Sequence, residues 1–170
     1  MLKLIKKEYI NNEILTLTIF GGLGRGYPVY KEGTQDKSKN DLKNFLRKEL
    51  TQYGRNYKNG AHENHHIKNI ERFTQAITRK YHEILKDNQF RIGRAQKLLN
   101  LYLKYLWVLD MISEPPHCPF DNKIISELGL NIKWTKLNSM EDYKELVKKA
   151  KKMAKNKNLS IAEWELKMWN

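Results

Sequence analysis

GRAQKLLNLYLKYLWVL, residues 93–109, is apolar on nearly every side of the helix it encodes. At about 100° per residue, Gly93, Lys97, Asn100 and Lys104 fall on one narrow line, continued by Trp107 and Met111. From Leu98 onward all other faces carry Leu, Tyr or Val. A helix on a protein surface buries one stripe and leaves the rest polar, whereas this one inverts the proportion. It therefore reads as the central helix of a helical body, running from about Ile92 to about Ile112, where SEPPHCPFD (113–121) supplies three prolines that end it.

Outward from this helix, Leu42, Phe45, Leu46, Leu50 and Tyr53 recur at three- and four-residue steps and predict a helix from Asp36 that stops at Gly54. Ile67, Ile70, Phe73, Ile77, Tyr81, Ile84 and Leu85 predict another, broken by KDNQ at 86–89. After the prolines, Asp121 is placed to cap a short helix ending at Gly129, and NIKWTKL reads as extended. Two more helices follow, one opened by an Asn138/Glu141 capping box and one by Ser160/Glu163. Residues 14–20, ILTLTIF, alternate with period two and are rich in β-branched side chains, which predicts a strand. The glycines of GGLGRGYPVY then predict a strand-to-strand turn. That run lacks both GxGxxG and GxxxxGK[ST], so no nucleotide loop is indicated. The expected fold is mainly α: one domain, with a β- and turn-rich element over 1–35 and a helical body over 36–170.

The chain has 170 residues, 32 Lys and Arg against 19 Asp and Glu, and a formal net charge of +13. Such a surface attracts polyanions, of which nucleic acid is the commonest in a cell. DNA and RNA are not distinguished at this level. A single cysteine, Cys118, excludes an internal disulfide and suits a reducing, cytoplasmic setting. Charges within the first 20 residues argue against a secretion signal, and none of the apolar runs spans a bilayer, so no membrane partner is expected.

Two places could contact phosphate. Lys144, Lys148, Lys149, Lys151, Lys152, Lys155 and Lys157 are opposed only by Glu145 between positions 144 and 157, a local balance of 7 − 1 = +6. Lys148, Lys149, Lys151, Lys152 and Lys155 are the candidates for contact there. On the central helix, Lys97, Asn100 and Lys104 either meet water along a wet edge or line a more specific cleft, since an unpaired ammonium is costly to bury.

HENHH at 62–66 matches HExxH, a zinc-ligand spacing on a helix, but Gly60 and Asn64 weaken the helix and no third ligand is evident. No metal or cofactor is expected. The proline turn could hold His117, Cys118 and Asp121 near the central helix, with Cys118 and Phe120 in the core and Asp121 as a cap. Arg55, Asn56 and, after six intervening residues from Arg55, His62 resemble the arginine-to-histidine signature of HEPN ribonucleases. That resemblance covers eight residues. It implies a helical protein, often a homodimer, in which Arg55 supports the phosphate charge and His62 assists proton transfer during metal-independent RNA cleavage. A non-catalytic protein-binding module is the third class compatible with the composition.

Overall fold

A computed structural model describes residues 1–24 and 26–169. Among these the chain forms seven helices: α1 (Leu2–Leu23), α2 (Asp36–Asn56), α3 (Glu63–Tyr81), α4 (Ile92–Val108), α5 (Asn122–Glu127), α6 (Met140–Lys155) and α7 (Ile161–Lys167), with short 3-10 turns at Lys86–Asn88 and Trp134–Lys136. The first four form an up-and-down bundle. Gly22 at the end of α1 meets Leu98 and Asn11 meets Tyr102, so α1 runs opposite to α4. Gly54 at the end of α2 meets Leu106, so α2 runs with α4. The remaining helices α5, α6 and α7 contribute to the same hydrophobic core.

α4 occupies the centre, touching α1, α2, α3 and α6. It ends at Val108, short of Ile112, because Asp110 adopts a left-handed conformation (φ 55°) and closes the helix. The amide of Met111 donates to the Leu106 carbonyl (2.8 Å) and that of Asp110 to Trp107 (2.9 Å), a Schellman closure. Its first turn is tied to the segment before α6, with the Gly93 amide donating to the Leu137 carbonyl at 2.8 Å.

The expected N-terminal strand is instead the second half of α1. Ile14, Leu15, Thr18, Ile19 and Gly22 are the buried set, a helical spacing, and the alternating Leu17 and Phe20 are exposed. Tertiary packing overrides the β-branched preference here. The glycines predicted to turn the chain serve close approach instead: a Cβ on Gly22 would lie 2.4 Å from Leu98 Cδ2, and one on Gly21 would lie 3.0 Å from Leu101 Cδ2. Arg25, within the same glycine run, lies outside the described residues. The sole β pairing among the described residues is the isolated bridge between Tyr30 and Leu85. Gly54 is likewise no stop: α2 runs through it to Asn56, and the glycine permits close approach to α4, since a Cβ there would sit 2.7 Å from Leu106 Cδ1.

Asp121 caps α5 as predicted, its carboxylate accepting from the amides of Lys123 and Ile124. Ser160 and Glu163 form their capping box on α7. On α6 the cap is Ser139 rather than Asn138, accepting from the Asp142 amide, while Asn138 donates to Gln89. NIKWTKL is not extended throughout but contains the turn at Trp134–Lys136.

Candidate functional site

The strip on α4 is interior. Asn100 is fully buried and Lys97 is 8% exposed. The Lys97 ammonium bonds the Asp121 carboxylate at 2.7 Å, and Lys104 reaches Glu165 at 2.8 Å, with Glu165 itself buried. Both cations therefore pair with acids from the C-terminal third of the chain, binding α4 to α5 and α7.

Asn100 is the middle of a hydrogen-bonded chain whose donor order can be worked out from one fixed end. Gln96 donates to the carbonyls of Gly93 (2.9 Å) and Phe120 (2.7 Å) and accepts from the Phe120 amide (3.1 Å), which fixes its orientation. Its oxygen accepts from Asn100 Nδ2 at 3.2 Å, so Asn100 Oδ1 faces His66 Nε2 at 2.7 Å and accepts its proton. His66 Nδ1 is then an acceptor for the Tyr57 hydroxyl (2.7 Å), which accepts in turn from Asn69 (3.0 Å). On the other side Asn100 Nδ2 also donates to Tyr143 (3.3 Å), and Tyr143 donates to His117 Nδ1 (2.7 Å). His117 Nε2 donates to Glu63 at 3.3 Å, and the second Glu63 oxygen holds Lys151 on α6. Burial pushes His66 down to about 3, with His117 adding to the effect, and burial pushes His117 down to about 3, with Lys151 adding. Both rings are neutral, so the His117–Glu63 contact is a hydrogen bond rather than an ion pair. Burial raises the Tyr143 hydroxyl and the Cys118 thiol well above their ordinary ranges. Every nitrogen of the two imidazoles has a partner, and the network locks α3, α4, α6 and the proline turn together.

HExxH is taken apart by the same geometry. His66 is wholly buried inside this network, while His62 is exposed at the N-cap of α3. Among the described residues no group of three or more His, Cys, Asp or Glu side chains could hold a metal.

A dense run of exposed cations lies on α6 and just after it. Tyr143, Leu146, Val147, Ala150 and Ala154 are buried, whereas Lys144, Lys148, Lys149, Lys151, Lys152, Lys155 and Lys157 are exposed. By helical rotation, Lys144, Lys148, Lys151, Lys152 and Lys155 share one side, with Lys149 at its edge. Two acids oppose them: Glu145 lies 3.7 Å from Lys148, both exposed, and Glu63 holds Lys151. Beyond Lys149 the surface opens into a groove of about 460 Å³ between α6 and the 130–137 segment. It is lined by the aliphatic Leu130, Ile132, Leu137 and Leu146, of which Leu137 and Leu146 are buried, and by the exposed Lys133, Lys136, Lys149, Asp142 and Glu145. Sequence pattern gives no sign of this groove, because its wall comes from a turn that the fold, not the local pattern, presses against α4.

Arg55 and His62 are both exposed at the end of the bundle where α2 turns into α3, Arg55 in the last turn of α2 and His62 capping α3. No helix among the described residues is long and apolar enough to cross a membrane. No family model, curated protein or solved structure matches this chain.

Proposed function

We propose that this chain binds nucleic acid through the lysine face of α6. The observation that carries the reading is the partition of its cations: Lys97 and Lys104 are neutralised by internal acids, while Lys144, Lys148, Lys149, Lys152 and Lys155 stand in solvent on one amphipathic helix. A run of like charges this dense repels itself unless phosphates or counterions lie against it. Lys97, Asn100 and Lys104 then support the face from within rather than touching the ligand. Titrating labelled RNA and DNA across a salt series tests this. Replacing Lys148, Lys149, Lys152 and Lys155 with Glu together is expected to weaken binding and to flatten the dependence of log affinity on log salt by about 0.7–0.9 for each phosphate that the variant no longer neutralises. An unchanged salt slope in that variant overturns the assignment to α6.

A second reading is favoured by the placement of Arg55 and His62 on one exposed end of the bundle, which keeps the HEPN-like ribonuclease in play. In it Arg55 stabilises the phosphate charge and His62 moves a proton. Cleavage of RNA in chelator that is abolished in His62→Ala and Arg55→Ala supports it; cleavage that survives both removes it. The same reading expects a homodimer, which sedimentation analysis reads directly.

A further inference from the structure

The groove beside α6 combines three chemistries that seldom lie together. Leu130, Ile132, Leu137 and Leu146 give it an aliphatic floor, and the exposed Lys133, Lys136 and Lys149, with Asp142 and Glu145, line it with cations and carboxylates. An amphiphile with an anionic head would use the floor and the lysines but offers no hydrogen-bond donor to the carboxylates. A nucleotide uses all three. Its phosphate meets the lysines, the face of its base covers the aliphatic floor, and the amino edge of the base donates to a carboxylate.

Building on the α6 reading, we infer that this groove is a pocket for one unpaired base that carries an amino group, with guanine as the best fit. In guanine the N1–H and the amino group lie side by side and match the two oxygens of one carboxylate, whereas uracil and thymine offer a single N–H donor. Asp142 is the better placed of the two acids, since Glu145 already faces Lys148. Lys149 belongs to both the groove lining and the edge of the lysine face, so a strand lying along α6 delivers its next base to the groove without leaving the cations. A base within a duplex has both faces covered by its neighbours and its pairing edge occupied. The groove therefore makes this surface selective for single strands.

The test is fluorescence anisotropy with three probes of equal length: a single strand alternating guanine and uracil, an all-uracil single strand, and a blunt duplex. The expected result is that the guanine-containing strand binds about tenfold tighter than the duplex. Asp142→Ala is expected to bring the guanine-containing strand down to the level of all-uracil. Ile132→Gln, at a position 41% exposed, is expected to bring both single strands down towards the duplex while leaving duplex affinity unchanged. Equal binding of single strand and duplex by the wild-type chain, with steep salt dependence, overturns the groove and leaves the lysine face standing. A single-strand advantage that persists in both variants also overturns it. Failure of all three probes to bind removes the α6 reading and the groove together.

Discussion

His66 and His117 meet edge to face, ring centroids 4.7 Å apart, each neutral and each with both nitrogens bonded. Their folded values near 3 lie below the ordinary histidine value of 6.5. Between those limits the unfolded chain binds more protons than the folded one, so stability rises with pH across the window and falls as pH drops through 6.5 towards 3. Each ring contributes up to about 1.4 kcal/mol per pH unit once the pH is well below 6.5. Urea midpoints taken between pH 7 and pH 4 are expected to fall steeply. Asn100→Leu, which leaves His66 Nε2–H without its acceptor, is expected to lower stability by about 1–3 kcal/mol at pH 7. A flat pH profile would contradict the buried neutral pair. At this scale the sequence named His62 and His66 through a motif, but a motif carries no burial, and it is burial that separates the exposed cap from the core residue.

Helix α1 and the turn at 134–137 show what local pattern leaves undecided. Period-two alternation over 14–20 is compatible with a helix once Ile14, Leu15, Thr18 and Ile19 have α4 to pack on. Glycines are ambiguous for the same reason: they permit a turn, and they permit two helices to approach. Gly93 is the extreme case, since a Cβ there would fall 1.7 Å from the Trp134 carbonyl oxygen and 3.0 Å from Leu137 Cβ. Gly93→Ala is expected to force the 134–137 turn off α4 and to cost about 1–3 kcal/mol or more in chemical denaturation, because backbone must move. Stability equal to wild type would mean that the turn is not held there. Strongly periodic elements, α2, α3, α4 and α6, were all legible, as were the Asp121 and Ser160 caps, because one buried face or one side chain suffices to specify each.

Across the whole molecule most cations are exposed, and the two lysine groups singled out by sequence, on α4 and on α6, have different fates. Lys97 and Lys104 find Asp121 and Glu165, residues 24 and 61 positions away in the chain. The lysines of α6 find almost nothing and remain outside. Composition alone cannot make that division, since it depends on which acids the fold carries to which cations. The lysine run was therefore visible as a candidate interface, while the strip on α4 could be read either as a wet edge or as a cleft and is in fact a buried support.

By itself the amino-acid sequence determined the helical class, the central place of the helix that begins at Ile92 and the local density of positive charge on α6. These follow from periodicity and composition, which act over a few turns of chain. Only tertiary structure decided that 14–20 is helical, that the cations of α4 are neutralised internally, and that a lysine-lined groove opens beside α6. Those outcomes rest on contacts between residues far apart in sequence, where desolvation and close packing choose among conformations that local preference leaves nearly equal.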